Sequence, residues 1–332
     1  MAIIPTQNQY PDRAGYTVLN TDTNQVEVLS DGIFKPIGGI PEFENSIDIF
    51  ENSIDIYVGP GGDYATVNEA FAYINSIKPT LRADYHNEPI VNLIFKTGYE
   101  LTQGIRINNQ YMPWLNITQE DINTPINTNF TEYDGMIKVL HSIIGKINLN
   151  IYNPNAYTTA FALSLYDGSY IDKLSLTAEN MKMGITMRNS EIRSIDKLVL
   201  NKMGDYGLVM AYNSYALVTA NTILSIDDVG QTNAGLGYAI HVNDSNLRLY
   251  RATNYSITNA KRALNIMEQG QIVISEDTLN IDNCDYGIYF SANGGKIVYS
   301  TANISFGTGV TNPWYPTDLV KNTWDHRGII ID

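Results

Sequence analysis

The sequence predicts an all-β chain whose body is a right-handed parallel β-helix of about 24 residues per coil, and three observations carry that expectation. The first is a series of apolar-x-apolar triplets behind small residues. It reads Gly184-Ile185-Thr186-Met187, Gly207-Leu208-Val209-Met210, Ala239-Ile240-His241-Val242, Ala263-Leu264-Asn265-Ile266 and Gly287-Ile288-Tyr289-Phe290, in steps of 23, 32, 24 and 24 residues. The second series is Leu174/Leu176, Leu198/Leu200, Leu224/Ile226, Tyr255/Ile257, Leu279/Ile281 and Ile304/Phe306, in steps of 24, 26, 31, 24 and 25. The third is a beat of turn pairs at Asp167-Gly168, Asn189-Ser190, Asn213-Ser214, Asp244-Ser245, Gln269-Gly270 and Asn293-Gly294. Registers that share one period of this size mark a solenoid. Apolar residues two apart lie on one face of a strand, not of a helix. One unit cannot bury such a face alone, so successive units stack about 4.8 Å apart as parallel strands. Leu, Ile, Val and Met then point inward, and the corners face water.

Length and charge bound the remainder. The chain has 332 residues and a net charge of −14, enough for one large domain with attachments. The acidic balance argues against nucleic acid, whose binding is driven by phosphate neutralisation, and against anionic membrane surfaces. Tyrosine is abundant, 23 against 9 Phe, and suits both strands and exposed binding surfaces. The lone Cys284 excludes an internal disulfide and reads as a small core residue. No apolar run reaches membrane-spanning length, so no membrane insertion is expected. The start, Met1-Ala2-Ile3-Ile4-Pro5-Thr6, lacks the basic and apolar regions of a signal peptide.

From the N-terminus, Tyr16 to Ile37 reads as a β-meander with turns at Thr21-Asp22-Thr23-Asn24 and Ser30-Asp31-Gly32. The string GYTVLNTDTNQVEVLSDGIFKPIG resembles a hairpin module found near the N-termini of bacteriophage tail-fibre and tailspike proteins. Leu29 and Ser30 stand where that module has an aromatic residue, and Phe34 stands in place of its Trp. The resemblance implies a virion-attachment module over residues 1–40 that contacts phage tail, baseplate or capsid proteins.

A tandem seven-residue repeat follows, Phe43-Glu44-Asn45-Ser46-Ile47-Asp48-Ile49 and Phe50-Glu51-Asn52-Ser53-Ile54-Asp55-Ile56. Phe43, Ile47, Phe50, Ile54 and Tyr57 have the a/d spacing of a coiled coil, which would make a trimeric neck. Ile47/Ile49 and Ile54/Ile56/Val58 alternate equally well as strands. Either way residues 41–57 are a linker.

The parallel β-helix is expected over 58–306. It opens with Val58-Gly59-Pro60-Gly61-Gly62-Asp63-Tyr64-Ala65-Thr66-Val67-Asn68-Glu69-Ala70. Thr66 and Glu69 have capping-box spacing, Val67, Ala70, Phe71, Ile74 and Ile77 make one apolar stripe, and Pro79 marks the stop of a capping helix. A strand with Val91, Leu93 and Phe95 on one side follows, then Gly98-Tyr99, then Ile105 and Ile107. This run resembles the entrance of pectin-lyase-like β-helices, pectin methylesterases among them, which phage β-helical spikes share. The glycine run lacks the Gly-Lys-Ser/Thr ending of a phosphate loop and reads as a turn. From Asn108 to Tyr133 the pattern weakens, which predicts a long excursion off the early coils. After Phe306, residues 307–332 carry Trp314, Tyr315, Trp324 and His326 and are expected to cap the open end of the solenoid.

Chemistry on such a rod must lie on an outer face. Glycoside cleavage uses two carboxylates roughly 5–10 Å apart. Asp172 and Asp196 recur in matching Ile-Asp-Lys-Leu strings with Lys173 and Lys197 beside them, a spacing that allows a stacked charge ladder but reads more readily as a solvated face. Asp205 and Asp285 sit in matching Asp-Tyr-Gly strings but three coils apart, too far to act as a pair. The best candidate is the break in the beat, a unit lengthened by about seven residues near Val229 to Gly237, after Asp227-Asp228, because insertions in repeat arrays map to loops on the binding face. Candidate catalytic residues are therefore Asp205, Asp227 and Asp228, and candidate glycan-binding residues are Tyr206, Tyr212 and Tyr238.

The later coils contain no Gln-Ala-Val strand, Asp-Phe-Ile-Phe-Gly string or Gly-Arg-Pro-Trp string, so pectin methylesterase activity has no residues here to rest on. His86, His141, His241 and His326 share no ligand spacing, and no cofactor or metal is expected. The resemblances imply a homotrimeric spike or fibre on the virion surface, made in the host cytoplasm, whose solenoid meets a host surface polysaccharide. Binding, polysaccharide depolymerisation, and a structural role in a head or collar fibre are the functions this leaves.

Overall fold

In the computed structural model the described residues are 17–20, 25–30, 33–39, 53–77, 91–155, 159–230, 236–250, 254–275, 278–292, 294–299 and 304–331. They belong to two compact units. The first holds an antiparallel meander of Thr17–Asn20, Gln25–Ser30 and Ile33–Gly39, with Thr17 opposite Val28 and Leu29 opposite Phe34. Of the linker at 41–57, the structure describes 53–57, and Ile54–Val58 is a strand.

The second unit is a parallel β-solenoid of about eight turns. Its strands form three parallel ladders. One ladder, called here the front face, stacks Ile105–Asn108, Gly135–Leu140, Phe161–Tyr166, Met183–Arg188, Tyr206–Ala211 and Tyr238–Asn243. It continues through the later halves of Asn254–Met267 and Leu279–Ala292 to Asn312–Tyr315. Its inward column runs Ile105, Ile137, Leu163, Ile185, Leu208, Ile240, Leu264, Ile288 and Trp314, each on the next. The members from Ile105 to Ile288 are at most 1% exposed, so each contributes on the order of 2 kcal/mol of apolar burial.

The second apolar series stacks as its spacing suggests from Leu198/Leu200 through Leu224/Ile226, Tyr255/Ile257 and Leu279/Ile281 to Ile304/Phe306, and only its first pair slips. Leu176 lies on Leu198 and Ala178 on Leu200, because Leu174 already lies on Ile195 and the bulge at Asp196 restores only one residue of the difference. Asp172 falls opposite Arg193, between the pairs Ile171–Ile192 and Lys173–Ser194, so it does not stack on Asp196 and no ladder of acids forms. Asp172 instead accepts from Arg193 Nη1 at 2.8 Å, and Asp196 accepts from Ser194 Oγ at 2.6 Å.

The corners explain the turn pairs, and they correct one expectation. One column at a corner holds Asn109, His141, Asp167, Asn189, Asp244 and Glu268, all with φ between 45 and 55°. A second holds Asn180, Lys202, Asp228, Asn259 and Asn283, with φ between 50 and 60°. Asn and Asp enter this left-handed region more easily than most residues. The serines beside the first corner do not face water. Ser142, Ser169, Ser190, Ser214 and Ser245 are at most 7% exposed and stack as a column inside the turn. Each Oγ donates to a carbonyl of its own corner, as Ser190 does to Arg188 and Ser214 to Ala211, both at 2.7 Å. Several also accept from a neighbouring coil, as Ser245 does from Ser214 N at 3.1 Å. A buried turn leaves backbone groups that must be paired, and serine is small enough to pair them.

At the entrance, Val67–Ile77 is a helix. Glu69 Oε2 accepts from Thr66 N at 3.0 Å and Thr66 Oγ1 from Glu69 N at 3.3 Å, the expected capping box. The weak pattern between Asn108 and Tyr133 is no excursion. Tyr111–Gln119 and Ile126–Thr128 lie within the ladders, on Ile143–Tyr152, Val91–Phe95 and Glu100–Leu101. Pro113 disguises them, because residues 113–115 form a bulge opposite Gly145. At the far end Gly328–Ile331 pairs with Gly295–Tyr299, so residues 307–332 add rung strands to the solenoid.

Candidate functional site

The front face turns its outer side chains into a stripe. One outer column runs Phe161, Met183, Tyr206, Tyr238, Arg262 and Tyr286. Three residues on, a parallel column runs Ser164, Thr186, Val209, His241, Asn265, Tyr289 and Tyr315. From Tyr206 upward the two columns carry a chain of rings. Tyr206 meets Tyr238 edge-on at 5.4 Å, and both lie 6.0 Å from His241. Tyr286 meets Tyr289 edge-on at 5.0 Å, and Tyr289 stacks on Tyr315 at 4.6 Å with the planes 13° apart. Arg262 joins the two groups, its guanidinium carbon 4.5 Å from the Tyr238 ring centre and 3.5 Å from that of Tyr289. Such contacts add cation–π attraction to apolar packing.

A buried asparagine holds this arrangement in one orientation. Asn265, 1% exposed, accepts through Oδ1 from Arg262 Nη1 at 2.9 Å and from Ser291 Oγ at 2.5 Å. Two donors on Oδ1 fix its amide, so Nδ2 donates to His241 Nδ1 at 2.5 Å. His241 is therefore the tautomer with its proton on Nε2. Burial, reinforced by the charge of Arg262, pushes its pKa down to about 4, so the ring is neutral at physiological pH. Burial also raises the Tyr206 and Tyr289 hydroxyls above their ordinary range, so both remain protonated donors.

The structure brings Asp205, Tyr206 and Tyr238 together and leaves the other expected residues elsewhere. Asp205 is buried, at 5% exposure, with its carboxylate 3.4 Å from Lys182 Nζ. Lys182 in turn lies over the Tyr133 ring at 5.1 Å. Tyr212 is exposed at a corner, with Arg188 4.7 Å from its ring centre. Asp227 accepts from Thr258 Oγ1 at 2.6 Å and Asn259 Nδ2 at 2.7 Å, so its carboxylate is occupied in the corner. Asp228 belongs to the left-handed column, and burial beside Asp227 raises its pKa. Asp228 stacks on Lys202, three residues before Asp205 in the coil below.

The lengthened unit leaves the solenoid through a narrow neck. Gly230 N donates to Met203 O at 2.9 Å and Gly237 N to Asp205 O at 3.0 Å. The neck is so tight that a Cβ on Gly230 would lie 2.7 Å from Gly237 Cα. Both glycines have φ above 100°, a conformation closed to side-chain-bearing residues. Residues 231–235 lie outside the described residues.

Sequence reasoning missed Arg262, Tyr286, Tyr289, Tyr315, His241 and Lys182. The signal was present for two of them, Arg262 and Tyr286, which share the position of the expected Tyr206 and Tyr238. Tyr206, Tyr238, Arg262 and Tyr286 each precede the small residue that opens a triplet, so they share the triplets' own period. Among the described residues no group of three His, Cys, Asp or Glu is placed to hold a metal ion. No described helix is long and apolar enough to cross a membrane. No family model, curated protein or solved structure matches this chain.

Proposed function

We propose that this chain is a phage virion spike or fibre protein that attaches to a host cell-surface glycan by binding it along the front face, without cleaving it. The observation that carries the glycan reading is the ring stripe from Tyr206 to Tyr315. Tyrosine faces stack on the C–H faces of sugar rings, and the tyrosine hydroxyls and the His241 Nε2–H suit sugar oxygens. Rungs repeat about every 4.8 Å, close to the advance of an extended pyranose chain, so a polymer lying along the stripe would meet an aromatic group at successive sugars. The virion part rests on the hairpin string's resemblance to tail-fibre modules and on its position ahead of a β-solenoid. In this reading the solenoid is right-handed, residues 1–40 attach to the particle, and three copies associate.

A second reading, depolymerisation, draws support from Asp228, whose raised pKa suits a proton donor, with Asp205 as the second carboxylate. The occupied Asp227 and the ion-paired Asp205 favour binding instead. The test is incubation of the purified chain with a panel of capsular and O-antigen polysaccharides, followed by measurement of both retention and polymer size. Retention with unchanged size is expected. Release of oligosaccharides would establish the depolymerase, and no retention by any polymer would leave the structural head or collar fibre.

A further inference from the structure

Arg262 is an anomaly in a chain of net charge −14. Among the described residues its guanidinium has no carboxylate partner, although acids outnumber bases 35 to 21. Its hydrogen bonds go from Nη1 to two neutral oxygens, Asn265 Oδ1 at 2.9 Å and Ser291 Oγ at 3.4 Å. Nε is buried without a partner, and two tyrosines cover the guanidinium faces. Two other cations of the front face are neutralised, Lys182 by Asp205 and Lys138 by Asp134 at 2.9 Å, while the exposed Arg188 lies against the Tyr212 ring. A half-buried, positioned and unneutralised guanidinium costs desolvation energy that cation–π contacts recover only in part. An anion arriving at its Nη2 edge would recover the remainder through a charge-assisted hydrogen bond.

We infer that the glycan bound by the stripe is acidic, and that Arg262 is the specificity-determining residue that reads one carboxylate, or an equivalent anionic substituent, on it. This rests on the stripe being a glycan site. Tyr238 and Tyr289 present the guanidinium edge-outward and exclude water from its faces, while Asn265 fixes its rotation. His241, neutral and locked with Nε2–H, adds a donor without adding a competing charge.

The test is a cycle between protein and ligand. Binding of the wild-type chain and of Arg262→Gln is measured for uronate-containing polysaccharides and for the same polymers with their carboxyls reduced to alcohols, at low and high salt. The inference expects at least a tenfold loss for wild type on carboxyl reduction, a similar loss for Arg262→Gln on the acidic polymer, and no further loss when both changes are combined. Arg262→Lys should recover part of the affinity. Should Arg262→Gln fail to fold, the wild-type comparison of acidic and reduced polymers decides alone. Equal wild-type affinity for the two polymers would overturn the acidic-ligand inference and leave glycan binding standing. Absence of binding to either, together with failure across the wider panel, would remove the glycan reading itself.

Discussion

His241 shows how one side chain ties stability to pH. Its folded-state pKa of about 4 lies below its ordinary value of 6.5, so between these values the unfolded chain takes up a proton that the folded chain refuses. Its contribution is therefore present above pH 6.5 and is lost as the pH falls toward 4. The thermal midpoint of the wild type should drop between pH 7 and pH 4.5 by more than that of His241→Gln, whose amide oxygen can still accept from Asn265. Parallel midpoints in the two proteins would refute this assignment. Cys284 makes a simpler case. It is 2% exposed, and burial pushes its thiol up to about 11. A thiol reagent at pH 8 should label it slowly in the native chain and fully in denaturant; rapid native labelling would contradict the packing.

At the scale of the element, two turns can be tested by single atoms. A Cβ at Gly145 would sit 2.2 Å from the Pro113 carbonyl oxygen, where the bulge of residues 113–115 presses against the next strand. Gly145→Ala should therefore cost about 2 kcal/mol or more, read as a lowered denaturation midpoint. Ser214→Ala removes both a donor to Ala211 O and an acceptor for Ser190 N inside a dry corner. It should cost about 1–3 kcal/mol, against a few tenths for an exposed serine. These elements also show what the sequence made legible. The triplets at Ile185, Leu208, Ile240, Leu264 and Ile288 stack as their spacing predicts, because a strand's inward side chains must repeat with the coil. The pair at Leu174/Leu176 slipped because this one coil is shorter than the period, which puts Leu174 on Ile195, and coil length is not marked by composition. The strand Tyr111–Gln119 was hidden for a related reason, since Pro113 reads as a break and here sits in a bulge. Outer residues such as Arg262 and Tyr289 were harder to see because hydrophobicity does not mark an outward position, and only the stacking of coils reveals which side chains share a face.

For the whole molecule, the solenoid acts as a ruler that places one side chain per coil at each outer position. In the proposed reading the ring stripe is the functional use of that ruler, and the association of three chains is its setting. Light scattering of the full chain should give three times the chain mass of 37.0 kDa; a monomer at micromolar concentration would contradict the trimer. The most direct measurement of the central claim compares polysaccharide binding by the wild type with that of Tyr238→Ala/Tyr289→Ala, on whichever capsular or O-antigen polymer the wild type retains. Both proteins are first checked for the same β-rich circular dichroism and mass. The stripe reading predicts that the double variant loses at least tenfold in affinity, since each aromatic contact contributes on the order of 0.5–1.5 kcal/mol beyond the area it buries, while polymer size stays unchanged for both proteins. Undiminished binding by the folded double variant, or shortened polymer after incubation with the wild type, would contradict it.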